Sequence, residues 1–383
     1  MSEYDVVIVG AGAVGCSVAR TLAPDHDVLV LEKDGVAEGA AGHAAGFVSD
    51  WWAHEGVGHP DARRIVREFF REFDGTGSFA FDERPFLTFI DDEDDVDGYR
   101  GRDGTLPDGF EYYSPEELEA TWPDTFDCSG TAGAIVDEDA GALDPYTFTV
   151  ALAEAARARG AEIRTGSEVT AIRDRNGSVT GVDVGGGETV TASTVVVAAG
   201  AFTRGLVADY VDLPTRSFVF SNARVAVDGG PDPSLPMGLA DGVYWRPDGG
   251  DLFVSGGEFW LDERTRGPGR IPERFRREVA STLPRYLADV DGMRYVATSE
   301  HTCPEGVTVA PDFAPIVDRL DRPDGLVVVD GVYGGIAMAP AYAEAIRSLV
   351  TGAEPPFPLS PFRTDRFEST SLAFDFDHID DLP

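Results

Sequence analysis

Gly10, Gly12 and Gly15 stand in the order G-x-G-x-x-G directly after the apolar run Tyr4 to Val9, and Glu32 closes the next apolar run, Val28 to Leu31. The chemistry these residue types suit is the holding of a dinucleotide. Gly10 makes the tight turn, Gly12 lets the backbone approach a pyrophosphate, and Gly15 lets helix and strand pack closely. A helix opening at that turn aims free N–H groups and its positive dipole end at the phosphates. A carboxylate at Glu32 accepts hydrogen bonds from a ribose diol and repels a 2′-phosphate, so NAD or FAD fits and NADP does not. Cys16, Cys128 and Cys303 show no paired spacing, and His54, His59, His301 and His378 no metal-ligand spacing. Neither a disulfide framework nor a metal site is expected, and a reducing cytoplasm is the default compartment.

The elements that must position these residues follow from the hydrophobic pattern. Tyr4 to Val9 reads as a buried parallel strand, Ala13 to Leu22 as the helix the glycines open, and Val28 to Leu31 as the second strand. Thr147 to Arg159 is an Ala-rich helix with Leu152 and Ala155 or Ala156 on one face, and Glu162 to Arg164 is a strand. A hairpin follows, Val169 to Ile172 and Val179 to Val184 about Asn176-Gly177, then a short strand at Val190 to Thr191. Thr194 to Ala198 is a separate apolar strand ending in Ala199-Gly200. Residues 215 to 260 alternate as antiparallel strands, with Val219, Val225, Val227, Tyr244, Leu252 and Val254 as core positions. Leu326 to Val329 is a second parallel-type strand, leading through Gly334-Gly335 to a helix from about Ala337. Residues 91 to 109 are an acidic, glycine-rich excursion read as a solvated loop.

The predicted class is α/β: a Rossmann-type nucleotide domain with a parallel sheet, assembled from 1–60, 143–214 and 302–353, plus an inserted antiparallel-sheet substrate domain from 61–142 and 215–301, and a tail at 354–383. Length suits two domains, and the apolar content is that of an ordinary globular protein. The charge is not ordinary: 68 acidic residues face 31 basic ones, the net charge is −37, and Lys33 is the sole lysine. Such a surface repels nucleic acid and anionic membranes and repels itself at low salt. The composition resembles that of proteins from salt-in halophilic archaea. No run approaches the roughly 18 apolar residues of a membrane span.

Five segments together carry a resemblance: the N-terminal glycine motif with Glu32, Ala40 to Val48 (A-A-G-H-A-A-G-F-V), Thr194 to Gly200 (T-V-V-V-A-A-G), Ala310 to Asp318 (A-P-D-F-A-P-I-V-D) and Gly331 to Pro340 (G-V-Y-G-G-I-A-M-A-P). In this order they resemble the D-amino-acid oxidase superfamily of FAD enzymes, which includes glycine oxidase, sarcosine oxidases and the sarcosine and dimethylglycine dehydrogenases. The resemblance implies FAD between the nucleotide domain and the inserted sheet. Gly10, Gly12 and Gly15 would hold the pyrophosphate, Glu32 the ribose, and backbone at Val169 the adenine. Ala45 and Gly46 would lie along the flavin, while Gly335 and Ile336 would offer N–H groups to its N1/O2 edge, where reduced flavin carries negative charge. Lys33, Ala199, Gly200 and Gly334 complete the implied cofactor-binding set.

His43, in H-A-A-G, is similar to the tryptophan-His-Ala-Ala-Gly segment of the dimethylglycine and sarcosine dehydrogenases, whose histidine is bound covalently to the flavin 8α-methyl group. Gly42 stands here in place of the tryptophan, so a covalent and a noncovalent flavin-edge histidine both remain as readings. The glycine oxidase type would place an arginine where this chain has Val307, which leaves Arg246 or Arg216 to meet a substrate carboxylate; Arg246 also reads as a surface arginine. Tyr333 should lie near the flavin by resemblance, or else serve as a packing aromatic. Phe253 stands where the monomeric sarcosine oxidase type has an oxygen-activating lysine, and Cys303 lies two residues before the place expected for a cysteinyl flavin. Both departures favour a dehydrogenase.

The expected function is FAD-dependent oxidation of a small amine or amino acid of sarcosine, dimethylglycine, glycine or D-amino-acid type, with His43, Arg246 and Tyr333 as candidate catalytic residues. Oxygen or a redox protein would accept the electrons, and a partner subunit is an expectation. The alternatives are a 2-hydroxy-acid or polyol dehydrogenase with His43 or His301 as base, and a flavin-binding subunit without turnover.

Overall fold

The computed structural model describes residues 3–49, 59–100, 104–106, 109–261, 269–296, 301–303 and 305–374; His54 and His378 lie outside them. The first strand, β1 (Glu3–Val9), pairs in parallel with β2 (Val28–Leu31) on one side and with strand Glu188–Val197 on the other. Between β1 and β2 runs α1 (Ala13–Leu22), with the bounds its apolar pattern predicts. Glu162–Arg164 extends the parallel sheet beyond β2, and Leu326–Asp330 pairs in parallel with Val195–Val197. Residues far apart in sequence thus join one eight-stranded sheet of mostly parallel strands, with the hairpin Val169–Arg175 and Ser178–Val184 at one edge.

Both faces of this sheet are buried. Val6, Ile8, Val28 and Val30 turn to a helical layer of α1, Pro145–Ala158 and Ala339–Thr351, and Val7, Val9, Leu29 and Leu31 turn to a second core with Val182, Val207 and Leu213. Continuous apolar strands are the expected mark of a sheet covered on both sides.

Two strand assignments merge. Val190–Thr191 and Thr194–Ala198 are parts of one ten-residue strand, Glu188–Val197. Its first half pairs antiparallel with the hairpin and its last three residues pair with Leu326–Val328, so burial changes from alternating to continuous along a single strand. That change of period reads as a boundary in the sequence although the backbone has none. The excursion at 91–109 is not simply a solvated loop: Glu93–Tyr99 forms 3₁₀ helix, and Val96 is buried with Ile90, Phe110 and Ile135. The helix expected from about Ala337 begins at Ala339, after a turn closed by Met338 N–H to Gly334 O at 2.9 Å.

The second sheet has ten strands, built around Arg216–Ala226, Asp251–Trp260 and Val243–Asp248. Its pairings are antiparallel except between Met237–Ala240 and Phe86–Ile90, which run in parallel. Val219, Val225, Val227, Tyr244, Leu252 and Val254 are all buried, as their alternation requires. Helix Glu273–Tyr286 covers one face with Phe275, Val279 and Leu283. Helix Pro60–Phe73, expected with this half, packs Val66, Phe70 and Phe73 into the helical layer of the first sheet instead. Residues Phe357 and Phe362, in the expected tail, are buried in that same layer, and Thr364 Oγ1 donates to Asp318 at 2.7 Å.

Candidate active site

The glycine turn is held by contact as well as by conformation. Gly10 has φ +106°, and a Cβ on Gly15 would fall 2.0 Å from the Gly10 carbonyl oxygen, so neither tolerates a side chain. Gly12 differs: a Cβ there would meet only Ala41 Cβ at 3.8 Å. The space above Gly12 is therefore left by the protein for something else. Gly12 also caps α1 without a side-chain acceptor, and no acidic residue sits in the helix's first turn, which leaves its N-terminal N–H groups open to an anion. Glu32 crosses from β2 to this turn, where Oε2 accepts the Ala11 N–H at 2.8 Å and Oε1 the Asp34 N–H at 2.9 Å. Each oxygen keeps a lone pair for a diol.

These groups open on a cavity of about 640 Å³. Gly10, Gly12, Glu32, Lys33, Val169, Ala199, Gly200, Tyr333, Gly335 and Ile336 all line it, and Gly15 packs against Gly10. Lys33 reaches Asp34 and lies 4.9 Å from the Phe202 ring centroid. At the far end the turn before Ala339–Thr351 exposes backbone: among the described residues, the N–H groups of Gly335, Ile336 and Ala337 have no acceptor in the chain. A helix terminus open to an anion, an open glycine, a ribose-type carboxylate and free N–H donors along one cavity fit FAD.

A second cavity, about 90 Å³, shares Ala40, Ala44, Val307, Tyr333 and Ile336 with the first and is lined further by His43, Ala45, Gly46 and Gly334. The segment carrying His43 is a 3₁₀ turn, Ala40–His43, fixed at several points. Gly46 has φ +72°, and a Cβ there would strike the Leu143 carbonyl oxygen at 2.1 Å, while its own carbonyl accepts the Leu143 N–H at 2.9 Å. Gly42, where relatives are expected to carry tryptophan, would place a Cβ 2.1 Å from the Ala37 carbonyl oxygen, so no side chain fits there without moving the turn. His43 Nδ1 lies 3.0 Å from the Gly39 carbonyl oxygen. A carbonyl can only accept, so Nδ1 carries the proton and Nε2 the lone pair.

Sequence reasoning missed the residues that hold this turn from the second sheet. Asn222, 1% exposed on Arg216–Ala226, donates from Nδ2 to the His43 carbonyl at 2.7 Å, and the same nitrogen lies 3.5 Å from His301 Nε2. The His43 and His301 rings meet edge to face at 5.7 Å. Arg246, a candidate for the substrate carboxylate, lines neither cavity. It is 8% exposed, Nε donates to the Ala45 carbonyl at 3.3 Å, the guanidinium lies 4.5 Å from the Phe253 ring centroid, and NH1 is 3.7 Å from Asp248. Burial lowers its pKa, with the Asp248 carboxylate opposing the shift. Arg216 is turned to the carbonyl and ring of Phe374. A buried carboxylate also borders the large cavity: Asp330 ends Leu326–Asp330, Oδ2 accepts from Thr215 Oγ1 and Oδ1 from Thr308 Oγ1, both at 2.7 Å, and Oδ1 accepts the Gly331 N–H at 2.8 Å. The signal for it was present, because an acid closing an apolar parallel strand is also what marks Glu32. Among the described residues no group of His, Cys, Asp and Glu could hold a metal ion, and no helix is long and apolar enough to cross a membrane.

The comparisons agree with this geometry. The chain is 27% identical over 94% of its length to a 4-methylaminobutanoate oxidase (formaldehyde-forming) of Paenarthrobacter nicotinovorans, and 23% identical over 96% to a sarcosine oxidase subunit beta of Rhizobium meliloti. It covers 45% of the first and 89% of the second, so it spans about half the length of the first of these relatives. In fold it is similar to glycine oxidase from Geobacillus kaustophilus, with a TM-score of 0.81 at 23% identity, over 96% of this chain and 100% of that one. Residues 5–349 match the model of the DAO family, described as FAD dependent oxidoreductase, and the chain belongs to that family.

Proposed function

We propose that the chain is the flavin-bearing catalytic unit of an amine dehydrogenase. The observation that carries this reading is the adjacency of the two cavities: a dinucleotide cradle and a small pocket lined by His43 share Ala40, Ala44, Val307, Tyr333 and Ile336 as lining residues. Bound FAD would supply the two-electron acceptor for a substrate C–H bond. The protein's part is placement and dielectric. Gly12 and the α1 terminus hold the phosphates, Glu32 the ribose, and the N–H groups of Gly335 and Ile336 stabilise negative charge at the far end. The walls of the small pocket exclude water and orient the amine. His43 suits covalent attachment, since its Nδ1–H to Gly39 leaves Nε2 as the nucleophilic nitrogen. In that case flavin should stay with the acid-precipitated chain and His43→Ala should release it; free flavin in the wild-type supernatant would leave His43 as a noncovalent neighbour.

The preference for a dehydrogenase rests on Phe253, which packs against Arg246 where a lysine would be needed for rapid oxygen reduction. A redox protein or partner subunit would then take the electrons. The free thiols Cys16, Cys128 and Cys303 suit a reducing cytoplasm. The test is an anaerobic screen of amines, amino acids, hydroxy acids and polyols, following loss of flavin absorbance near about 450 nm. Bleaching by amines supports the proposal, and bleaching by hydroxy acids or polyols alone defeats it. Reoxidation by air that is much slower than by an artificial acceptor supports the dehydrogenase assignment.

A further inference from the structure

Four aromatic residues face the small cavity: Phe47 and Tyr244, whose rings lie 5.7 Å apart, and Phe220 and Tyr333, whose rings lie 5.6 Å apart. They come from four separate parts of the chain: Phe47 from the strand after the His43 turn, Phe220 and Tyr244 from neighbouring regions of the second sheet, and Tyr333 from the turn before the last helix. Among the described residues no arginine, lysine, aspartate or glutamate lines this cavity. Its volume, about 90 Å³, is several times the roughly 10–15 Å³ that a cavity needs to hold one water.

We propose that this pocket is an aromatic cage that captures a small N-alkylated amine as its alkylammonium, which is oxidised only after its N–H proton has passed to solvent and freed the nitrogen lone pair, and that recognition requires no carboxylate on the substrate. The proposal rests on the amine reading above and names the substrate class of that site. Aromatic faces are negative and attract a desolvated cation, most effectively one whose charge is spread over alkyl groups that also fill the pocket. A carboxylate entering the same space would lose its hydration and meet no cationic Arg or Lys among the described lining residues, its donors there being limited to backbone N–H groups such as those of Ile336 and Ala337, so it is disfavoured against the alkylated cation. The arginines that could have met it do not line the pocket: Arg246 lies behind its wall, 6.0 Å from the Phe47 ring centroid and held by the Ala45 carbonyl, Phe253 and Asp248, and Arg216 is turned to Phe374. The whole-molecule field acts in the same sense, since a net charge of −37 concentrates cations and depletes small anions near the surface.

The test uses purified FAD-loaded protein. Tetramethylammonium chloride and sodium acetate are titrated separately at constant ionic strength while the flavin spectrum is followed. Tetramethylammonium should perturb the spectrum saturably and acetate should not. Phe220→Leu and, separately, Phe47→Leu should weaken tetramethylammonium binding about tenfold or more while FAD content is unchanged. Having two variants guards against one that fails to fold. In the anaerobic assay, dimethylamine or trimethylamine should bleach the flavin at least about tenfold faster than sarcosine or dimethylglycine at equal concentration. Faster bleaching by sarcosine or dimethylglycine, or tighter binding of acetate than of tetramethylammonium, overturns the cage and leaves the amine dehydrogenase standing. Bleaching by no amine of either kind overturns both.

Discussion

At Gly12 the protein leaves room that it does not itself use, since an added Cβ would meet only Ala41 at 3.8 Å. Gly12→Val should therefore fold and yet lose FAD, because the branched side chain would occupy the place of the pyrophosphate. A yellow protein of wild-type flavin content after gel filtration would refute the assignment. Asp330 poses a different problem, being fully buried with three hydrogen-bond donors around it. Burial raises its pKa above the ordinary carboxylate value, and the hydroxyls of Thr308 and Thr215 oppose that shift. The native state thus holds this proton more firmly than the unfolded chain does. Its stabilising contribution is complete below the ordinary carboxylate pKa and is lost as pH rises through the raised native value. Asp330→Asn does not titrate, so wild-type minus variant stability, from denaturant melts at constant salt between about pH 4 and pH 8, should fall with rising pH. A constant difference would show that the carboxyl titrates alike in both states. The glycines and Glu32 were legible in the sequence because a short backbone motif fixes their roles. Asn222 was not, and Arg246 was picked out for a role it does not have, because their partners are carbonyls that only the tertiary fold brings near, while Asp330 carried the strand-end signal of Glu32 and went unread.

Among the elements, the 3₁₀ turn Ala40–His43 and the residues after it line the cavities and are held from both sheets. The turn is anchored on the first sheet's side by the closely packed Gly42 and by Gly46, and on the second sheet's side by Asn222 to His43 O and Arg246 to Ala45 O. Asn222 and Arg246 act as positioning residues, because neither lines the cavities and both hold backbone that does. Asn222→Ala would leave the partly buried His43 carbonyl without its donor, at a cost of about 1 kcal/mol, and would loosen the turn that carries His43. The expected result is a lower melting temperature with a shifted flavin spectrum, whereas Asn222→Gln, which keeps a donor, should recover part of both. An unchanged spectrum together with lost stability would reduce Asn222 to a structural role. The elements themselves were largely readable: α1 and β2 fall on their apolar periods, and the core positions of 215–260 on their alternation. The errors arose where one backbone element serves two environments, as in Glu188–Val197, or where apolar anchors such as Val96 are embedded in acidic sequence.

Charge belongs to the molecule as a whole. Its arginines are shared among acids: Arg71 bridges Glu83 at 2.7 Å and Asp139 at 3.0 Å, Arg164 meets Glu162 and Glu188, and Arg285 meets Asp91 and Asp241. The Arg164 and Arg285 clusters still carry an excess negative charge, and the Arg71 cluster is neutral only because Arg67 also meets Asp139 at 3.0 Å, so local pairing does not remove the repulsion expressed by the net −37. Exposed pairs of this kind are worth at most about 1 kcal/mol each, and salt that weakens them also screens every unpaired carboxylate. The balance should favour salt, because repulsion sums over many distant charges while 31 basic residues cannot pair with all 68 acidic ones. Raising KCl from about 0.1 M to above 1 M shortens the Debye length from about 10 Å to 3 Å and should raise the melting temperature of the FAD-loaded protein steeply. NaCl at equal ionic strength should act alike if screening is the cause, whereas a potassium-specific effect would point to bound ions. A flat or falling melting temperature over that range would mean that pairing outweighs repulsion, and the high-salt reading of the composition would then be wrong.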